Sequence, residues 1–175
     1  MALILPFSRR EKGLCSDRLP TMDEVSLGAK EAHQRALTWL ARREYGRAEL
    51  IGKLAQRGCE EEVATRIVAA LAAEGLVSDE RYVEALLHVR RVRGYGPLYI
   101  RRELQEKGID RNTIERWLDA GSRDWIEIVR RVSKKKFGES RPASLAQRVK
   151  QTRFLQYRGF THEQIQQAFG SDDGE

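Results

Sequence analysis

Apolar positions recur along this chain at helical spacing. Tyr82, Leu86 and Val89 fall at i, i+4 and i+7, with Ala85 and Val92 beside them. That is one stripe on one side of an α-helix. Asp79 offers a carboxylate to the free N–H groups at its start. Gly94-Tyr-Gly96 stops the stripe, since glycine takes the left-handed conformation found at helix ends. Pro97 then suits the first position of a second helix, where its missing N–H costs nothing. Ile100 and Leu104 face inward from that helix. Lys107 complements its negative end and Gly108 terminates it. Asp110 caps a third helix, with Ile114, Trp117 and Leu118 directed inward and Gly121 closing it.

The same three-helix pattern occurs twice more. Leu54-Ala-Gln-Arg57-Gly58-Cys59 corresponds to Leu104-Gln-Glu-Lys107-Gly108-Ile109 and to Leu155-Gln-Tyr-Arg158-Gly159-Phe160, at offsets of 50 and 51 residues. An aromatic-glycine pair precedes each copy: Tyr45-Gly46, Tyr95-Gly96 and Phe137-Gly138. From that pair to the leucine is 9 residues in the first two copies and 18 in the third, which places an insertion in GESRPASLAQ. The first copy puts Leu37, Trp39 and Leu40 in its first helix, Leu50 and Leu54 in its second, and Val63, Ile67 and Leu71 in its third. The third copy has Ile126, Val129 and Val132, then a longer helix from about Leu145 to Arg158. Its last helix opens on Thr161-His-Glu-Gln164, a capping box, carries Ile165 and Phe169 inward, and ends at Gly170.

No segment alternates as a strand does, so the expected fold is all-α: three tandem three-helix repeats in an elongated, curved arrangement. Residues 36–78, 79–123 and 124–175 are the expected repeats, the last with its insertion and a short C-terminal tail. Residues 1–35 form an expected flexible N-terminal extension, with the first helix starting near its end. A unit of this size buries little area alone, so neighbours must share surface.

Composition narrows the function. The chain has 175 residues, 41% apolar and 33% charged, with a net charge of +6. From Arg81 to Arg158 there are 20 Lys and Arg against 9 Asp and Glu, a balance of +11; elsewhere the counts are 12 and 17, a balance of −5. A basic stretch of that size suits a polyanion or an acidic protein surface. A solvated basic face with no partner is the competing reading.

Catalytic chemistry has little support. Cys15 and Cys59 are too few and too far apart for a disulfide framework or a zinc site. Cys59 stands at an apolar position of the repeat and reads as a small buried thiol. His33, His88 and His162 have no ligand spacing, and no cofactor or metal is expected. The spacing around Gly46, Gly52 and Lys53 misses the phosphate-binding loop, because five residues separate the glycines and Leu54 follows. Glu60, Glu61 and Glu62 fit the first turn of a helix. No apolar run reaches membrane-spanning length, and the charges of Arg9, Arg10 and Lys12 follow MALILPF rather than precede it. A cytoplasmic, non-enzymatic protein is expected.

The basic residues are the candidate site. Arg90, Arg91 and Arg93 close one helix. Arg101 and Arg102 lie in the next, with Lys107 at its end. Lys134, Lys135 and Lys136 close another, and Lys150, Arg153 and Arg158 occupy the last long one. Lys150, Arg153 and Tyr157 stand at i, i+3 and i+7 on one face, a combination that binds single-stranded nucleic acid through phosphate neutralisation and stacking. Offsetting the helix dipole accounts for part of this bias, at about 0.3–1 kcal/mol per charge.

Asp79-Glu-Arg-Tyr82, Gly94-Tyr-Gly-Pro97, Ile100-Arg-Arg-Glu-Leu104, Lys107-Gly-Ile109 and KQTRFLQYRGF from Lys150 to Phe160 resemble the bacterial RecX family. The resemblance runs from about Ala36 to Gly170. One departure is Ser78-Asp79, where the family commonly has two acids. The resemblance implies a modulator of the RecA recombinase that lies in the groove of the RecA–DNA filament. It implies blocked filament extension or favoured disassembly, hence suppressed ATP hydrolysis, strand exchange and RecA-stimulated repressor cleavage, and so control of recombination and SOS repair. Some members also bind single- or double-stranded DNA directly. A monomer is expected. The alternative is a stand-alone nucleic-acid binder, such as a helix-turn-helix-like repressor.

Overall fold

A computed structural model describes residues 28–138 and 144–170. Among them are nine helices and no strand. The first three are α1 (Ala29–Leu40), α2 (Arg47–Ala55) and α3 (Glu61–Ala73). The next three are α4 (Asp79–Val92), α5 (Pro97–Glu106) and α6 (Arg111–Trp117), and the last are α7 (Asp124–Phe137), α8 (Leu145–Tyr157) and α9 (His162–Phe169). Residues 1–27, 139–143 and 171–175, which hold most of the N-terminal extension, part of the insertion and the C-terminal tail, lie outside the described residues.

The nine helices pack around two apolar cores. Repeat 1 has its own, built from Ala32, Ala36, Tyr45, Leu50, Leu54, Cys59, Ala64, Ile67, Val68, Leu71 and Val77. Repeats 2 and 3 share the other. It is continuous from Tyr82, Val83 and Leu87 through Ile100, Leu104 and Ile114 to Trp125, Val129, Leu155, Phe160 and Ile165. Each large apolar side chain removed from water there contributes about 1.5–3 kcal/mol. Two polar atoms within this region are satisfied by the chain linking the repeats. Trp125 Nε1 donates to Asp119 C=O at 2.7 Å, and Gln164 Nε2 donates to Ala120 C=O at 2.8 Å.

Most predicted signals occupy their expected places. Pro97 opens α5, Asp110 accepts hydrogen bonds from the Asn112 and Thr113 N–H groups, and Thr161 and Gln164 form the reciprocal capping box of α9. Gly58, Gly108 and Gly159 all adopt positive φ, which lets the chain reverse sharply after each second helix.

Three expectations need correction. The stripe on α4 is rotated: Tyr82, Val83 and Leu87 are buried, whereas Val89 is 42% and Val92 65% exposed. The side of α4 carrying Val83 and Leu87 meets the shared core. The line of Tyr82, Leu86 and Val89 instead opens on the gap beside repeat 1. Trp117 is 40% exposed, because α6 ends there and Leu118, at φ −102° and ψ 83°, turns inward in its place. Asp79 does not cap its own helix. Ser78 does so, accepting from Arg81 N–H, while Asp79 Oδ1 accepts from the N–H of Arg47, the first residue of α2, at 2.8 Å.

Candidate functional site

The two junctions between repeats are built alike and held differently. At each, the glycine before the second helix of one repeat meets the glycine turn after the second helix of the next. Between repeats 2 and 3 the contact is backbone on backbone. Gly96 N–H donates to Arg158 C=O at 2.8 Å and Leu98 N–H donates to Gly159 C=O at 3.0 Å. Carbonyls at the negative end of α8 thereby satisfy free N–H groups at the positive end of α5. Between repeats 1 and 2 the links are largely polar side chains. Arg81 Nε meets Glu44 at 3.1 Å and Lys107 Nζ meets Glu49 at 3.2 Å, in addition to Asp79 on α2. At the third second-helix start the Ser144 hydroxyl accepts from Gln147 N–H within α8 itself.

Glu49 is the centre of the first junction. Arg43 Nη2 lies 2.8 Å from Oε1, and Lys107 reaches the same oxygen from the other repeat. Burial by itself would raise this carboxyl. Hydrogen bonds and attraction from Arg43 and Lys107 outweigh it and hold the group below the usual carboxylate range. Tyr82 is buried close to the carboxylate. Loss of solvent, then the Glu49 charge, pushes its phenol up to about 12.

The ten cations expected to form one basic face do not. Arg90 is bound bidentately by Glu103 inside repeat 2, and this pairing holds its charge more firmly. Arg91 lies over the Trp125 ring at 4.4 Å with its Nε buried. Arg158 sits between the rings of Tyr95 and Phe154, at 5.0 and 5.2 Å, and donates to Arg93 C=O. Arg91 and Arg158 thereby link repeats 2 and 3, while Arg90 is held within repeat 2. Along α5, Arg101 turns toward α6, Arg102 turns outward beside Glu106, and Lys107 turns toward repeat 1.

The remaining cations lie on the two packed helices α7 and α8. Lys150 and Arg153 are exposed on α8, as are Lys134 and Lys135 on the last turn of the adjoining α7. Tyr157, 85% exposed, shares the face of Lys150 and Arg153. Leu98, 47% exposed, borders the same seam where it bonds Gly159. Sequence reasoning missed Leu98, Tyr95 and Tyr99. The last two stack at 4.3 Å between ring centroids, with Arg102 5.5 Å from Tyr99. The recurring Tyr-Gly pair is the one sequence signal for Tyr95, and Tyr99 has none.

The described residues contain no cluster of acids, histidines and cysteines able to hold a metal ion, and no helix among them is long and apolar enough to cross a membrane.

Tandem three-helix modules with polar and backbone-mediated seams define the class, a helical repeat protein with a cationic surface on its last module. The family models agree module by module. Those described as the first, second and third three-helix domains of RecX match residues 32–71, 78–118 and 123–169. The chain belongs to the RecX family. It is 45% identical to the regulatory protein RecX of Pseudomonas entomophila over 130 residues, which is 74% of this chain and 84% of that one. It is 36% identical to that of Halorhodospira halophila over 152 residues, 87% of this chain and 94% of the relative. The fold is similar to the crystal structure of RecX from Lactobacillus salivarius, with a TM-score of 0.69 at 23% identity, covering 80% of this chain and 93% of the other.

Proposed function

We propose that this protein is a non-enzymatic regulator that binds the RecA–DNA filament and suppresses its ATP hydrolysis, strand exchange and stimulation of repressor cleavage, and so restrains recombination and the SOS response. The observation that supports this reading best is the match of all three modules, in order, to the RecX domains over residues 32–169. The exposed face of α8 supplies the chemistry: Lys150 and Arg153 neutralise phosphates or carboxylates, and Tyr157 offers a ring for a base or an apolar side chain. It acts in the cytoplasm, as a monomer.

The test is titration into the ATPase of RecA stimulated by single-stranded DNA. Lys150→Glu with Arg153→Glu should raise the amount needed for half-inhibition by about tenfold or more, while the far-ultraviolet helical signal stays unchanged. Both side chains are exposed, whereas Arg158 is better left intact because it holds a junction. Undiminished inhibition by the folded double variant removes α8 from the site. Absence of inhibition by the wild-type protein removes the function.

A further inference from the structure

The apolar line on α4 is buried at Tyr82 but emerges at its far end, where Leu86 is half-buried and Val89 exposed, and neither the fold nor the α8 site covers that end. Tyr82, Leu86, Val89 and Arg93 fall at i, i+4, i+7 and i+11, along one wall of a groove of about 340 Å³. Its other walls are Arg43, Glu44 and Glu49 of repeat 1 and Glu103 and Lys107 of repeat 2. Val89 is 42% exposed on its floor, beside the half-buried Leu86. Val89 and the outer side of Leu86 remain available for a second surface.

The charges around it are sorted by depth. Glu49 and Glu103 lie low, with side chains only 14% and 17% exposed, and each is already paired with cations. Arg43 and Lys107 stand higher, 48% and 39% exposed. Arg93 is exposed at the mouth, and its guanidinium carries no partner among the described residues. Glu44 stands beside them, 34% exposed and paired with Arg81, so an incoming chain meets an apolar floor beneath a rim on which the cations Arg43, Arg93 and Lys107 outnumber the acid. The wall is a helix whose backbone groups are internally bonded, so it offers nothing to an extended strand, which needs backbone partners. An amphipathic helix brings its own backbone bonds and lays apolar side chains at i, i+4 and i+7 into such a groove.

We infer that the groove between α4 and repeat 1 receives an amphipathic helix of a partner protein, one whose apolar side chains are flanked by carboxylates. The inference deepens the proposed regulation of RecA and rests on it for the identity of the partner. It adds a protein-reading site on the opposite junction from the cationic α8 face. Arg93 forks onto a carboxylate, Val89 and Leu86 take the apolar side chains, and Arg43 and Lys107 set the sign of charge accepted.

The probe is a fluorescein-labelled helical peptide with leucines at i, i+4 and i+7 flanked by glutamates, and a companion with lysine in place of each glutamate. Anisotropy should show the glutamate peptide binding the full chain at least about tenfold more tightly than the lysine peptide. Val89→Glu and Arg93→Glu should each weaken it by about tenfold, and Arg153→Glu should leave it unchanged. Both groove positions are exposed, so circular dichroism should show native helix in each variant. Equal binding of the two peptides, or undiminished binding by both groove variants, overturns the inference. So does sedimentation showing wild-type self-association that Val89→Glu abolishes, since the occupant is then a second copy. In the RecA ATPase titration, Val89→Glu should require more protein for half-inhibition, and inhibition equal to wild type counts against the groove. Should wild-type protein leave RecA unaffected, the proposed function falls while the peptide titration still decides the groove.

Discussion

Alanine at Gly96 tests whether repeats 2 and 3 are joined backbone to backbone. A Cβ built there lies 2.4 Å from both the carbonyl carbon and oxygen of Gly159, and 2.5 Å from the Phe160 nitrogen. These are main-chain atoms and cannot swing aside. The substitution introduces no dihedral strain, because Gly96 has φ −89° and ψ 171°, an extended conformation open to alanine. The whole effect is therefore steric. Forcing the strands of chain apart costs about 1–3 kcal/mol. It also lengthens the Gly96–Arg158 and Leu98–Gly159 hydrogen bonds, worth about 0.5–1.5 kcal/mol each. The expected loss is about 2–6 kcal/mol. That is a large share of the about 5–15 kcal/mol that stabilises a domain. Gly46 is the internal control. It has φ −71° and ψ 152°, and its Cβ would meet only side-chain atoms, the nearest being Ile109 Cδ1 at 3.2 Å. Alanine there should stay within about 1 kcal/mol of wild type, helped by the lower entropy of its unfolded chain. Urea unfolding would be followed by circular dichroism and, with Trp39→Phe in the background, by fluorescence of Trp117 and Trp125 outside repeat 1. A Gly96→Ala midpoint equal to wild type, or an equal loss at Gly46→Ala, refutes the reasoning.

Other outcomes follow from the same geometry. Glu49 has its carboxyl lowered in the fold, so its stabilisation is complete above the unfolded value of about 4.3 and fades as pH falls through the lower folded one. Glu49→Gln should accordingly cost about 1–2 kcal/mol in neutral urea melts and nothing once the acid limb is passed; a constant difference across pH contradicts this. Asp79→Ala should free the Arg47 amide for fast hydrogen exchange and destabilise the start of α2 by about 0.5–2 kcal/mol, leaving α4 with its Ser78 cap; fraying of α4 instead would show the assignment to be wrong. Cys59 is buried, and burial, then the nearby Glu60 charge, pushes its thiol up, so in a Cys15→Ser background a disulfide reagent should modify it only at the rate at which repeat 1 opens.

The triplication, the helix boundaries and most of the core were legible because they rest on local rules. Glycine is needed where the chain reverses at Gly58, Gly108 and Gly159, and carboxylates or hydroxyls are needed at helix starts such as Asp110 and Thr161. What failed depended on neighbours distant in sequence. The α4 pattern shows two adjacent apolar lines, Tyr82-Leu86-Val89 and Tyr82-Val83-Leu87, and only the packing of α5, α6 and repeat 3 decides which is buried. Asp79 sits at a helix start, yet its oxygen serves a helix that begins 32 residues earlier. The basic face was the least legible part. Composition counts cations but not their partners, and Arg90, Arg91 and Arg158 are each held by a group from another helix: Glu103, Trp125 and the Arg93 carbonyl.

The serine at the head of α8 sets that helix apart from the other two second helices. Gly46 and Gly96 begin helices with no side chain of their own to close them, and in each case the next repeat supplies an acceptor: Asp79 for the Arg47 N–H, and Arg158 and Gly159 for the Gly96 and Leu98 N–H groups. Ser144 supplies its own, with the hydroxyl turned back on Gln147. The third second helix therefore depends less on a neighbour at its start than the first two do, and its opening turn should hold when the preceding loop moves.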